Sequence, residues 1–421
     1  MEKFIIEGGH ALSGHIAVNG AKNHVLKMIP ACFLASEPTT ITNVPALEDV
    51  ARMLDIVENI GGTVNRISTR EIQIIPPQKF SGQMPRELVK KMRASIVFAG
   101  PLLARYGQVS IAHPGGDNIG KRPIDFFIEG FALFGATVEK EGDTYHFSAP
   151  NGLVGATCLF PTMSVMGTET LMMTAVLAKG RTVLKNAACE PEIVALAEYL
   201  NSVGAQITGA GTHTINIQGV AELRGGTAHI IPDRIEAGSF IILAAATNSD
   251  VTIDGCHPEH LEIPLHILAD MGVPLTIHSN AVEVHQRKQK LKPFHLITHE
   301  YPGFATDLQP PMTVLLTQAE GESSVRETIY EGRLFYTEVL NTMGAQISLL
   351  DLYRVTVNGP TPFIGKEVTS PDIRAGIAMV IAGLLAKGET TVNNIYHIDR
   401  GYERIEERLQ HIGAHIQRIT E

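Results

Sequence analysis

"LNSVGAQI" at 200–207 and "LNTMGAQI" at 340–347 are nearly the same eight residues, and how they are read decides the fold. Four weaker copies flank them: "ENIGGTV" (58–64), "FALFGATV" (131–138), "LADMGVPL" (268–275) and "LQHIGAHI" (409–416). Their aligned glycines, Gly61, Gly135, Gly204, Gly272, Gly344 and Gly413, are spaced 74, 69, 68, 72 and 69 residues apart. That regularity exceeds chance, and the period is too long for the common solenoid repeats. In each copy an apolar-periodic stretch ends at a glycine and a short β-branched stretch follows, which is the signature of a helix closed by a C-terminal glycine and leading into a strand. A second signature runs beside the first in "LARYGQVSIAH" (103–113), "LAKGRTVLKNA" (177–187) and "LAKGETTVNNI" (385–395), among others: again a helix, a turn and a strand. The chain is therefore six units of about seventy residues, each with two helices alternating with strands.

A seventy-residue unit with one apolar face buries too little surface to stand comfortably alone, so three units per core is the natural grouping. The boundary is expected near the middle, where "AHIIPDRIEAGSF" (228–240) breaks the pattern with a proline and a charge cluster.

The chain's 421 residues, 44% of them hydrophobic and 19% charged, fit a soluble globular protein of enzyme size. Its net charge of −10 and the lack of any long Lys/Arg block point away from nucleic acid and anionic membranes as partners. The four cysteines, Cys32, Cys158, Cys189 and Cys256, are far apart and form no CxxC pair, as expected of reduced thiols in a cytoplasmic protein. "MEKFIIEGGH" has no apolar core for a signal peptide, and "AGIAMVIAGLLA" (375–386) is too short to span a bilayer and reads as a buried helix. There is no Walker loop, GxSxG or strand-borne GxGxxG. "HPEH" (257–260) has two histidines, but its proline breaks a helical zinc face, so no metal and no cofactor are expected.

The chemistry concentrates elsewhere. "HPGGDNIGKRPID" (113–125) combines three glycines, which let backbone approach a ligand, with Lys121 and Arg122, which suit an anion, and sets Asp117 among them. Further cations stand singly at element ends: Lys22, Arg93, Arg333, Arg374 and Arg400. Asp372 and Asp399 lie within two residues of an arginine, and Asp307 follows a turn-like "YPGF"; the plainest reading of each is local surface pairing.

"NGAKN" (19–23), "MRASIVFAGPLLARYG" (92–107), "RPID" (122–125), "EPEIV" (190–194), "IPDRIEAGSF" (231–240), "FATDLQP" (304–310) and "YHIDRGYERIEERL" (396–409) together resemble the UDP-N-acetylglucosamine enolpyruvyl transferase family, in order and over essentially the whole chain. "GAKN", "RPID" and "HIDRGYERIE" separate it from the sister phosphoshikimate enzymes. The resemblance implies an α/β (α+β) fold of two similar domains, each of three βαβαββ units about a pseudo-threefold axis, an inside-out α/β barrel with helices inside. It implies a discontinuous domain of residues 1–21 and 232–421, a second domain of 22–231 carrying the 113–125 loop, and an active site in the cleft between them.

It further implies transfer of the enolpyruvyl group of phosphoenolpyruvate to the 3-hydroxyl of UDP-N-acetylglucosamine, the first committed step of peptidoglycan synthesis. These two small molecules are the partners, and the oligomeric state is left open. By resemblance Lys22, Arg122 and Arg400 hold the phosphate end, Arg333 and Arg374 serve the carboxylate, and Arg93 meets the nucleotide diphosphate. Asp307 stands against the sugar hydroxyl as general base. Asn23, Pro123, Ile124, Asp125, Ser164, Val165 and Ile329 contact the sugar nucleotide, and Asp372 joins the substrate-binding set. Three positions depart from the family pattern: Phe127 replaces a frequent histidine, Thr162 a frequent lysine, and Asp117 the usual cysteine. The last implies a carboxylic acid as proton donor and insensitivity to fosfomycin, which alkylates that cysteine. A diverged transferase with another acceptor and a catalytically silent scaffold are the alternatives.

Overall fold

In the computed structural model, residues 2–116, 120 and 122–420 are described. Residues 295–359 show one repeat in full. Strand His295–Ile297 leads through helix Gln309–Leu316 into strand Gly321–Arg326, and helix Thr337–Thr342 then leads into the hairpin Gln346–Asp351 and Arg354–Gly359. The first two strands pair in parallel, His295 opposite Ser324, because a helix crosses between them; the hairpin strands pair antiparallel. The result is a βαβαββ unit.

Among the described residues six sheets follow this plan, five of four strands and one of three. The three-stranded sheet, Gln108–Ala112, Thr144–Ser148 and Thr137–Glu141, has an isolated parallel bridge from Gln83 to Ser110 where the first strand would stand. Each of the six signature glycines lies just after a repeat's second helix with φ between 87° and 116°, a backbone region open chiefly to glycine. This is why the motif survives as glycine in all six copies. Along the strands, burial alternates with period two, as in "RTVLK" at Arg181–Lys185, so each sheet has one face inward and one in water.

The chain forms two compact units, one taking residues up to Asn19 and from Pro232 onward, the other taking most of Gly20 to Ile231. Each has its own hydrophobic core and three of the six sheets. The discontinuity has a simple topological form. Strand Ser13–Ala17 pairs in parallel with Asp250–Asp254, so the long excursion is inserted between the first strand of a repeat and its helix, Arg234–Ala246. The chain ends close another repeat: Glu2–Glu7 lies between Glu389–Asn393 and His415–Thr420 as one sheet's fourth strand.

Helices fill the interiors. In the unit holding the termini, Arg234–Ala246, Gln309–Leu316 and Ile373–Leu385 pack on one another and are buried almost all round. The last contains the apolar run noted above; a helix that is hydrophobic on every face has no place at a surface. In the other unit Lys22–Ala31 and Val165–Ala175 are buried in the same way. The architecture is thus inside-out, with helices within and sheets outside. Among the described residues no helix is long and apolar enough to cross a membrane.

Candidate active site

In the unit holding the termini, Asp307 opens a short helical turn, Thr306–Leu308, and is gripped by two arginines from other elements. Arg333 Nη1 lies 2.9 Å from its Oδ1, and Arg374 Nε donates to its Oδ2 at 2.9 Å. Both guanidinium groups are buried, at 4% and 5% exposure, while the Asp307 side chain keeps 25% of its surface open. Burial disfavours the charge on Arg333, but Asp307, Asp372, Glu327 and Tyr330 outweigh it and hold its pKa above the usual arginine value. For Arg374, too, burial opposes the charge, and Asp307 with Tyr402 and Asp233 more than compensates. Both stay cationic, and both are paired with the one partly open carboxylate of Asp307.

Two residues that the sequence did not single out hold this arrangement. Glu327, 1% exposed, accepts from the Thr306 hydroxyl at 2.9 Å and from the backbone N–H groups of Ile329 and Tyr330 at 2.8 and 3.2 Å. It thereby ties the residue beside Asp307 to the segment carrying Ile329. Tyr402, fully buried, shares a 2.8 Å hydrogen bond with Ser239 and accepts from Arg374 Nη1 at 3.4 Å. Glu327 had no motif around it, and Tyr402 lies within "YHIDRGYERIEERL", where the resemblance assigns it no role.

The local pairing read from sequence is corrected here. Asp372 spends its carboxylate on the backbone, capping helix Ile373–Leu385 by accepting from the N–H groups of Arg374 and Ala375. Asp399 turns to Arg418, near the C-terminal end, with contacts of 2.6 and 2.9 Å, rather than to its neighbour Arg400. Arg400 is 6% exposed at the end of helix Tyr396–Asp399, with Nη1 3.5 Å from His397 Nδ1. At a helix start or end, adjacent side chains diverge, so neighbours in sequence are not partners in space.

In the other unit Lys22 is the first residue of helix Lys22–Ala31 and forms a buried 2.9 Å ion pair with Asp49. Asn23 follows it, half-buried, and its carbonyl accepts from Lys27 Nζ at 2.9 Å. Arg93 opens the 3₁₀ helix Arg93–Phe98 and donates to the backbone carbonyls of Arg122 and, at 2.8 Å, Pro123. It therefore anchors the "RPID" segment. A side chain at Gly116 would meet Arg122 Nη2 at 2.8 Å and Arg93 Cβ at 2.9 Å, and one at Gly115 would strike the Lys90 carbonyl at 1.8 Å. Only glycine fits where the chain runs this close to those cations. Ile124 is buried, whereas Pro123 and Asp125 are exposed at the start of helix Asp125–Leu133. Ser164 caps helix Val165–Ala175, accepting from Gly167 N at 3.0 Å, with half-buried Val165 beside it. Phe127 belongs to the core at 2% exposure, while Thr162 is exposed. Asp117 and Lys121 lie outside the described residues.

Beneath Lys22 and Asn23 lies a buried polar cluster that the sequence did not suggest. Lys27 Nζ is 3.0 Å from Glu169 Oε2, and burial pushes the Glu169 carboxyl up to about 7 against the pull of Lys27. His24 Nδ1 accepts from Ile231 N at 3.3 Å, and burial brings the imidazole down to about 4, with Glu192 opposing and Lys27 and His229 assisting. The sign follows from linkage: the unfolded chain binds more protons at His24 between pH 4 and 6.5, so this residue makes stability rise with pH over that window. Glu169 acts oppositely between pH 4.5 and 7. His24→Gln, which keeps an acceptor, should remove the first effect alone. In urea denaturation, the advantage of the unmodified chain over the variant should grow by up to about 3 kcal/mol as pH rises from 4 to 6.5. A difference that is flat in pH would contradict the neutral buried imidazole.

The family model described as EPSP synthase (3-phosphoshikimate 1-carboxyvinyltransferase) matches residues 6–409. The chain belongs to this 1-carboxyvinyltransferase family. Within it, proteins named UDP-N-acetylglucosamine 1-carboxyvinyltransferase from Bartonella tribocorum and Solibacter usitatus are 42% and 44% identical to it, over the full length of both chains in each pair. A protein from Streptococcus agalactiae named UDP-N-acetylglucosamine 1-carboxyvinyltransferase 1 is 44% identical, also over both full lengths. The fold is that of the enolpyruvyl transferase NikO from Streptomyces tendae, with a TM-score of 0.88 at 23% identity over 100% of this chain and 99% of that one. EPSP synthase from Acinetobacter baumannii matches at 0.77 and 19% identity over the whole of both chains.

Proposed function

We propose that the chain transfers the enolpyruvyl group of phosphoenolpyruvate to the 3-hydroxyl of UDP-N-acetylglucosamine and releases inorganic phosphate. The observation that carries this reading is full-length identity of 42–44% to proteins named for that reaction. The Asp307 cluster supports it, since the reaction needs cations for a carboxylate and an acceptor for a hydroxyl proton.

Asp117 gives a proton to the methylene carbon of phosphoenolpyruvate as the sugar oxygen bonds to the central carbon. Asp307 takes the hydroxyl proton. The tetrahedral adduct then loses a proton from the former methylene carbon and expels phosphate, restoring the double bond. Lys22, Arg122 and Arg400 bear the phosphate's charge. Arg333 and Arg374 meet the carboxylate: an arriving carboxylate competes with Asp307 for their N–H groups, which frees Asp307 to accept the proton at the moment it is needed. Arg93 acts by holding the "RPID" backbone. Asn23, Pro123, Ile124, Asp125, Ser164, Val165, Ile329 and Asp372 line the path of the sugar nucleotide. The two units serve as the enzyme's two domains.

The four cysteines, all unpaired and buried, support a cytoplasmic setting for this reaction. Mass spectrometry of UDP-N-acetylglucosamine incubated with phosphoenolpyruvate and the protein tests the proposal. The nucleotide sugar should gain one enolpyruvyl group; an unchanged acceptor beside consumed phosphoenolpyruvate would refute it.

A further inference from the structure

We propose that Glu7, His10 and His415 form a binding site for one zinc ion, apart from the residues assigned to enolpyruvyl transfer. Glu7 ends strand Glu2–Glu7, His415 begins strand His415–Thr420, and the two face each other directly in the antiparallel ladder. A turn through Gly8 and Gly9, the latter at φ 84°, then brings His10 back over His415. A Cβ at Gly8 would strike the Gly383 carbonyl at 2.3 Å, so the path of this turn is tightly set.

The donor atoms converge. Glu7 Oε1 is 3.7 Å from His10 Nε2, Glu7 Oε2 is 3.4 Å from His415 Nδ1, and one ligand atom from each residue lies within 4.8 Å of the others. Four ligands at tetrahedral zinc bond lengths sit about 3.4 Å from one another. His10 Nε2 is uncommitted, shielded from solvent and without a hydrogen-bond partner among the described residues, while Glu7 Oε2 and His415 Nδ1 share a 3.4 Å hydrogen bond that a bound ion would replace. Glu7 and His415 also line an open surface groove of about 330 Å³, which Glu389, the other cross-strand neighbour of Glu7, shares and His10 does not line. With Glu7 and His415 exposed, water can reach the site to serve as the fourth ligand. Two imidazoles with a carboxylate favour zinc over magnesium or calcium, which take oxygen ligands.

The imidazole rings stack, with centroids 3.7 Å apart and planes 23° from parallel, so one ring must turn about its Cβ–Cγ bond to aim both lone pairs at one point. His415 is exposed and His10 only partly covered, which leaves space for that rotation. The bound ion would join the first strand of the chain to the last, where both complete a single sheet.

The test uses the full-length chain without a histidine tag. Calorimetric titration with Zn²⁺ should give one site per chain, and Co²⁺ in its place should give the intense visible absorption of a four-coordinate ion. His10→Ala and His415→Ala should each weaken binding by about tenfold or more, since even outer-shell losses at metal sites cost that much. The same variants should abolish the rise in melting temperature that Zn²⁺ gives the unmodified chain. His257→Ala with His260→Ala should change neither reading, and transferase activity should be unaffected in all of them. No stoichiometric uptake by the unmodified chain, or undiminished binding in a His10→Ala, His415→Ala double variant, would overturn the proposal.

Discussion

Asp117→Asn and Asp117→Ala are expected to lower kcat/KM for enolpyruvyl transfer by about 10²–10⁴-fold, the usual contribution of a positioned general acid. Protonating a carbon centre is the step that water does worst, and neither asparagine nor alanine has a proton to give. Aspartate and cysteine both carry one transferable proton, so Asp117→Cys should keep activity. It should also gain a liability. A thiolate attacks an epoxide far more readily than a carboxylate does, so the cysteine variant should lose activity progressively in fosfomycin while the unmodified chain does not. Because an ordinary aspartic acid has a pKa near 3.9, the acid form is scarce at neutral pH and the rate should fall as the medium becomes alkaline. Steady-state kinetics of the variants, with and without fosfomycin, check all of these. An active Asp117→Ala, or a fosfomycin adduct on the unmodified chain, would remove Asp117 from the role.

Arg374→Ala should cost about 10²–10³-fold in kcat/KM, as removal of one charged donor from a reacting centre does. The loss has two parts. Arg374 Nε holds Asp307 at 2.9 Å while Nη1 rests on Tyr402, so under the proposed mechanism the guanidinium would fix the direction of the base as well as offer charge to the substrate. Arg374→Lys should rescue little, because one ammonium cannot span both partners. Arg418→Ala makes the control: it removes an arginine paired with Asp399, Glu406 and Glu2, and should lower the melting temperature without reducing turnover of the folded enzyme. Equal kinetic losses in the two variants would mean that Arg374 acts through stability alone.

The repeat was legible because its marker is conformational: a glycine at positive φ after each second helix cannot be replaced cheaply, so it persists while the surrounding residues drift. The buried helices were legible from composition, as in "AGIAMVIAGLLA". Side-chain partnerships were not. Asp307 and Arg374 are 67 residues apart, and Arg418 reaches back 19 residues to Asp399 and 416 to Glu2. Such pairs are set by which strands and helices the topology brings together, and no local spacing encodes them. The Glu7, His10 and His415 cluster has the same origin, since ligands from opposite ends of the chain leave no motif. Glu327 was hidden for a different reason: it serves backbone N–H groups, and any stretch of sequence offers those.

The most direct test of the account is release of inorganic phosphate from phosphoenolpyruvate, measured with no acceptor, with UDP-N-acetylglucosamine, and with phosphoshikimate. Release that requires UDP-N-acetylglucosamine, one phosphate per nucleotide sugar consumed, is the predicted result. Release with phosphoshikimate instead, or with neither acceptor, would contradict it.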